Sequence, residues 1–183
     1  MTQKNKPTEL HDPFKDKGFK SIRKAISASL HQVTDGMHGR RLVYPTKWAR
    51  LNKNLLGGLQ PGKMYVIAGR PGVGKSAFSN QLIFDLLDNN KFKKLLVLYW
   101  SFEMPGYQQI MRAGAKGTSK QVSELLSVEQ KLEQDAYEAF RKEVLKYAHY
   151  PIYFNNIPRN MEFVKNANID ITNKKPDHTI INV

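Results

Sequence analysis

The chain has 183 residues, a length typical of one domain and sufficient for a substantial core. It contains no cysteine, which excludes disulfides and cysteine-based zinc sites, and it has no apolar run of the roughly 18 residues that a membrane span needs. Its 29 Lys and Arg residues against 16 Asp and Glu residues give a net charge of +13, which favours a polyanionic partner such as nucleic acid.

The first 18 residues are polar, contain two prolines, and are predicted to be disordered. They carry no apolar stretch typical of a secretory signal, which favours a cytoplasmic protein. Residues 19–46 are predicted to form a linker helix and a connection. The helix should run from Phe19 to about Met37, because apolar residues recur there at spacings of three and four. These residues are Phe19, Ile22, Ile26, Leu30 and Val33.

Two short apolar runs bounded by turn residues predict buried strands, Met64–Ala68 and Leu95–Trp100. Tyr99 and Trp100 are interpreted as core residues of the second strand and not as a platform for stacking bases. Each strand is followed by a predicted helix, one from Lys75 to about Asp88 and one from Tyr107 to about Lys116. Residues 40–62 are interpreted as an irregular connection.

The second half of the chain continues this alternation. Ser127–Gln130 has the S-x-x-Q form of a capping box and predicts a helix that runs to about Tyr147. Two further strands are predicted at Pro151–Phe154 and Thr179–Val183. Strands that alternate with helices indicate an α/β fold with a mostly parallel sheet and flanking helices.

The motif with the clearest chemistry is Gly69–Ser76, which matches the P-loop pattern G-x-x-x-x-G-K-[ST] between a predicted strand and a predicted helix. Glycines allow backbone N–H groups to turn toward a phosphate, and the helix N-terminus adds further donors. Lys75 would reach the β- and γ-phosphates of ATP, and the Ser76 hydroxyl would bind Mg²⁺. The predicted nucleotide-binding residues are Gly69, Arg70, Pro71, Gly72, Val73, Gly74, Lys75, Ser76 and Ala77.

The flanks of the P-loop carry a family resemblance. Leu59–Gly62 precedes it, and Ser101–Met104 ends the second predicted strand. This combination resembles the RecA-like motor domain of the DnaB family of replicative helicases, which has a GLQPG turn, a P-loop and an S-x-E-M strand end in this order. The resemblance covers residues 47–183 and implies a RecA-like P-loop NTPase core that is incomplete at its C-terminus. It also implies catalytic roles for Lys75 and for Glu103, which would polarise the water that attacks the γ-phosphate.

The same resemblance implies partners. In the complete protein, ATP hydrolysis would drive 5′–3′ translocation on single-stranded DNA and duplex unwinding by a homo-hexamer, with primase as a possible replication partner. The predicted helix at residues 19–37 resembles a linker helix that docks on an adjacent subunit, although packing on its own domain is an equal alternative. Arg112 could contact phosphate or a neighbouring subunit, or it could be an ordinary surface arginine. The protein would act in a bacterial cell or in a phage-infected host.

The sequence also departs from the family. The strand Thr179–Val183 resembles the segment that leads into the Walker B aspartate, and that aspartate and the arginine finger would lie beyond residue 183. We therefore expect the chain alone to bind nucleotide but to hydrolyse it poorly. Two alternatives stay open, another RecA- or KaiC-like ATPase and a non-catalytic nucleotide-binding module that regulates a helicase ring. A small nucleotide kinase is disfavoured, because no arginine-rich lid is evident.

Overall fold

The computed structural model describes residues 18–157 and 160–183. The segment predicted to be disordered, residues 1–18, therefore lies outside the described residues except for Gly18. The chain divides into two compact units, Met1–Leu42 and Val43–Val183.

The first unit contains helix α1, Ile22–Met37, which confirms the predicted amphipathic helix. Ser21 caps it, because its side-chain oxygen accepts a hydrogen bond from the Lys24 N–H at 3.4 Å. None of the helix residues is buried, so its apolar stripe is exposed. The exposed apolar residues of this stripe are Ile22, Ile26, Leu30, Val33 and Met37.

The second unit is built on a three-stranded parallel sheet of order β2-β1-β3, formed by β1, Leu95–Trp100, β2, Ile152–Asn155, and β3, Thr179–Asn182. The central strand β1 is a continuous apolar run, as expected for a parallel strand covered on both faces. Its Val97 is fully buried and pairs with both neighbouring strands. Three of the predicted strands and the α/β fold class are thereby confirmed.

Helices flank this sheet. They are α2, Ala49–Asn54; α3, Lys75–Asn89; α4, Gly106–Gly117; α5, Val122–Leu125; α6, Gln134–Leu145; and α7, Met161–Lys174. Helix α3 contributes Ile83, Leu86 and Leu87 to a core cluster that also contains Tyr44 and two residues of β1. Helices α4 and α6 pack against each other. The helices predicted to begin near Lys75 and Tyr107 are confirmed as α3 and α4. In the described ranges, no helix is both long and apolar enough to cross a membrane.

The predicted strand Met64–Ala68 is wrong. This segment is exposed and unassigned to any sheet, and its backbone makes no hydrogen bond within the described chain. A strand needs a neighbouring strand for its N–H and C=O groups; β1 is already paired on both sides, and this segment pairs with neither outer edge of the sheet, at β2 or at β3. Met64, Tyr65 and Ile67 instead line an open groove together with residues of β3.

The helix predicted from Ser127 begins later than expected. The Ser127 side chain does accept a hydrogen bond from the Gln130 N–H at 3.0 Å, but this bond closes a turn and α6 starts only at Gln134. A single capping bond contributes only about 1 kcal/mol. Glu133 occupies the N-cap position in an extended conformation and makes no side-chain capping bond.

Three helices were not predicted from the sequence. Helices α2 and α5 are short, and α2 lies in the connection that was interpreted as irregular. Helix α7 begins after Asn160, whose side chain accepts a hydrogen bond from the Phe163 N–H at 2.9 Å. The signal for α7 was this asparagine cap, but asparagine and β-branched residues within the helix have low helix propensity and obscured it.

Candidate functional site

Two glycines of the Gly69–Ser76 loop adopt backbone conformations that other residues resist. Gly72 has φ +79° and Gly74 has φ +91°, both in the left-handed region that favours glycine. Gly74 is also the N-cap of α3, so the chain passes directly from the loop into the helix. Gly74 is thus a motif glycine that the turn itself requires, and Gly72, at a position where the motif allows any residue, is a second one. The other motif glycine, Gly69, has no left-handed φ, but an added Cβ there would lie 3.0 Å from Val73 Cγ2.

The first turn of α3 presents backbone donors. Phe78 is the first helix residue whose N–H bonds back, to the Gly74 carbonyl at 2.9 Å. The N–H groups of Lys75, Ser76 and Ala77 donate no backbone hydrogen bond in the part of the chain that the structure describes. Together with the positive end of the helix dipole, such donors form a site suited to an anion.

Two side chains of the predicted site, those of Lys75 and Ser76, lie at this same helix end. The Lys75 ammonium donates hydrogen bonds to the Gly69 and Arg70 carbonyls, both at 3.1 Å, which holds it across the loop. The Ser76 hydroxyl is exposed and has no hydrogen-bond partner among residues 18–157 and 160–183. The loop thus combines a cation, backbone donors and an available hydroxyl oxygen, as phosphate and Mg²⁺ binding require.

Glu103 lies in the turn that joins β1 to α4. It is exposed, and it has no ion pair or hydrogen bond within the described residues. The turn leaves the carboxyl end of β1, and at this edge the Ser101 N–H donates to the Asn155 carbonyl at 2.9 Å. Ligands of open α/β sheets bind outside the carboxyl ends of the strands, so Glu103 is placed where a bound substrate can be reached.

The relation of Glu103 to the P-loop differs from the expectation. The sequence places Glu103 in the segment that ends the second predicted strand, which is β1, but β1 pairs with β2 and β3 and not with the segment that precedes the P-loop. The two regions are connected through helices, because α3 and α4 are in contact and the Lys116 ammonium donates to the Gln81 side-chain oxygen at 2.6 Å. Arg112 is exposed on α4, with no ion pair among the described residues.

Beneath the Glu103 turn lies a buried polar cluster that sequence reasoning missed. Gln109, in the first turns of α4, is only 3% exposed and donates a hydrogen bond to the Ser101 hydroxyl at 2.9 Å. Burial raises the pKa of the Tyr99 hydroxyl, and a hydrogen bond with Gln109 partly offsets that increase. Tyr99 itself is buried in β1, which confirms its interpretation as a core strand residue.

The family model of the DnaB-like helicase C terminal domain matches residues 44–180. The chain belongs to this family. It is similar to the DNA repair protein RadA of Aquifex aeolicus, with 35% identity over 112 residues that cover 61% of this chain and 24% of RadA. It is also similar to the replicative DNA helicase DnaB of Buchnera aphidicola, with 33% identity over 108 residues that cover 54% of this chain and 21% of that protein. The chain therefore spans about a quarter or less of either curated relative.

A solved structure shows the same fold. It is that of a DnaB-like replicative helicase, described with its interactions with primase, and it aligns with a TM-score of 0.69 at 17% identity. The alignment covers 90% of this chain and 38% of the helicase chain. The predicted RecA-like fold and the DnaB-family resemblance are confirmed. The roles of Gly69–Ala77 and Glu103 remain predictions, which the geometry described above supports.

Proposed function

We propose that this chain is the nucleotide-binding part of a DnaB-like helicase ATPase. The observation that carries the proposal is the P-loop at the start of α3, with left-handed Gly72 and Gly74, unbonded first-turn N–H groups and the ammonium of Lys75. An ordinary glycine-rich turn would not require all of these features together.

The residues present fit ATP and Mg²⁺. The N–H groups from Gly72 to Ala77 would bind the phosphates, and Lys75 would exchange its two carbonyl partners for β- and γ-phosphate oxygens. Ser76 would supply a hydroxyl ligand to Mg²⁺, and the bound ion would help neutralise charge on the phosphates. Gly69, Arg70, Pro71 and Val73 complete the loop, and Arg70 adds a second positive charge at its rim.

Glu103 would act on the attacking water. A carboxylate without an ion-pair partner in the described chain keeps its full acceptor capacity for a water hydrogen. By orienting that water opposite the leaving phosphate oxygen, Glu103 would lower the entropic barrier of the displacement. Its position on a short turn, closed by the hydrogen bond from the buried Ser101 hydroxyl to the Met104 carbonyl, supports this role.

In the complete protein we propose a homo-hexamer that couples ATP hydrolysis to 5′–3′ translocation on single-stranded DNA and to duplex unwinding. Membership of the DnaB-like family supports this activity, and the net charge of +13 supports binding to DNA phosphates. A primase is proposed as a replication partner, because the related helicase structure was solved with its primase interactions.

A second candidate is a DNA repair ATPase of the RecA-like class, which the 35% identity to RadA favours. The phosphate-binding chemistry would be the same, and the difference would lie in what the hydrolysis drives. Duplex unwinding without strand exchange would support the helicase, and strand exchange without unwinding would support the repair ATPase.

Single-turnover hydrolysis tests the proposed roles, because an excess of protein over ATP detects even a slow reaction. Glu103→Gln should retain nucleotide binding and hydrolyse bound ATP about 10²-fold more slowly, the usual effect of losing a catalytic base or water-orienting group. Glu124, exposed on α5 and paired with Lys120 at 3.8 Å, offers a control of equal charge, and Glu124→Gln should behave as wild type. Hydrolysis by Glu103→Gln at the wild-type rate would contradict the role of Glu103.

A further inference from the structure

The turn that carries Glu103 is closed by one side chain. The Ser101 hydroxyl donates a hydrogen bond to the Met104 carbonyl, so Phe102 and Glu103 lie at the tip of a short loop. A serine hydroxyl has a single hydrogen, so this bond exists only while nothing else takes that hydrogen. The conformation of the loop therefore depends on how the hydroxyl is oriented.

Gln109 determines that orientation. Its amide nitrogen donates to the Ser101 hydroxyl oxygen at 2.9 Å, which fills an acceptor position and leaves the hydroxyl hydrogen for Met104. Gln109 thus connects α4 to Ser101, the residue that directly follows β1 and begins the Glu103 turn.

The other polar atom of Gln109 has no partner. Its side-chain oxygen is buried without a hydrogen bond in the described part of the chain, an arrangement that costs stability. An apolar residue of similar length would avoid this cost. The presence of glutamine at this position is therefore explained by the hydrogen bond that its amide donates to Ser101, and not by the stability of the core.

The start of α4 is fixed by close packing as well. A Cβ on Gly106 would lie 2.6 Å from Phe154 Cγ, so the helix can begin this close to β2 only with glycine. The Glu103 turn is consequently anchored at both ends, by Ser101 on one side and by Gly106 on the other.

We propose that Gln109 is a positioning residue that acts through Ser101 to hold the Glu103 turn in the conformation needed for ATP hydrolysis. The effect on hydrolysis rests on the function proposed above, whereas the effect on the turn does not. Gln109 does not touch the nucleotide in this proposal, so it should influence the rate of hydrolysis and not nucleotide affinity.

The test compares Gln109→Met, which keeps the side-chain length and removes the donors, with Gln108→Met as the matched control. Gln108 is the adjacent residue of α4, and its side chain makes only an exposed contact with Tyr107. Backbone ¹⁵N relaxation should show the Glu103 amide order parameter falling below about 0.6 in Gln109→Met and unchanged in Gln108→Met. Gln109→Met should also slow single-turnover hydrolysis about 10-fold, with ADP·Mg²⁺ affinity within about 2-fold of wild type.

Ser101→Ala is a second variant, which removes the hydroxyl that links Gln109 to the Met104 carbonyl. It should give the same loss of order and rate, and the double variant with Gln109→Met should be no worse than either single variant. A Glu103 amide that stays ordered in Gln109→Met would overturn the proposal. So would additive effects of Ser101→Ala and Gln109→Met in the double variant, or lower order parameters along the whole of α4. If wild type binds no nucleotide, the proposed function fails, and the relaxation data still decide the role of Gln109.

Discussion

Substituting Gly114 by alanine should destabilise the protein, although alanine is normally the better helix residue. Gly114 is buried in α4 where this helix packs on α6. An added Cβ would lie 2.5 Å from both Phe140 Cε2 and Val144 Cγ1, closer than real Cβ contacts allow. Helix propensity favours alanine by about 1 kcal/mol, whereas overpacking a core contact costs about 1–3 kcal/mol.

The difference of these two effects is a loss of about 0–2 kcal/mol in the free energy of unfolding, and we expect the upper half of this range, about 1–2 kcal/mol, because two side chains of a packed helix face must move. In a domain of this size such a loss lowers Tm by about 3–6 °C, measured by circular dichroism. Gly117→Ala is the control, since the three atoms nearest to its added Cβ all belong to the outer part of the Glu143 side chain, which can turn away at the expense of its ion pair with Lys146. We expect that variant within about 1 kcal/mol of wild type. A Gly114→Ala protein as stable as wild type would refute the packing of α4 on α6.

Three further predictions concern stability. Leu86→Ala truncates a fully buried side chain and should lower the free energy of unfolding, measured with urea, by about 2–5 kcal/mol. A loss below about 1 kcal/mol would contradict the position of Leu86 in the core. Asn52→Ala should lower the free energy of unfolding by about 1–3 kcal/mol, because the N–H and the hydroxyl of the buried Thr46 donate hydrogen bonds to the Asn52 side-chain oxygen at 2.8 and 2.7 Å. An unchanged midpoint of urea unfolding would count against these bonds. Burial and Asp88 raise the pKa of Tyr150, so its stabilising contribution is complete below about pH 10 and is lost as the pH rises above that value. Between about pH 9 and about pH 11 the free energy of unfolding should therefore fall less in Tyr150→Phe than in wild type. An equal fall in both proteins would contradict the raised pKa of Tyr150.

The sequence predicted those parts of the fold in which local pattern and tertiary environment agree. β1 is apolar throughout and lies at the centre of the sheet, so its composition matches its burial. The P-loop was predictable for a different reason, since its glycines, lysine and serine are needed at fixed positions by the turn and by the anion it binds. Both the turn and the helix that follows it occur where the motif placed them.

The remaining differences arise where a local signal depends on a neighbour. Met64–Ala68 has the composition of a strand, but a strand exists only if another strand takes its backbone hydrogen bonds, and none of β1, β2 and β3 pairs with this segment. The Ser127 cap forms its predicted bond and yet starts no helix, because one capping bond contributes only about 1 kcal/mol and α6 begins at Gln134. Gln109 could not be identified from sequence as a positioning residue, because its significance depends on its burial and its contact with Ser101.

The central claim is that the Gly69–Ser76 loop binds nucleotide phosphates through Lys75. Titration with a fluorescent ADP analogue and Mg²⁺ tests it, with Lys75→Ala and Glu103→Ala beside Lys131→Ala, which removes an equal charge at an exposed site. Wild type, Glu103→Ala and Lys131→Ala should bind saturably with similar affinity. Lys75→Ala should bind about 10–100-fold more weakly, the loss expected for one charge-assisted contact. Equal binding by Lys75→Ala, or no saturable binding by wild type, would contradict the claim.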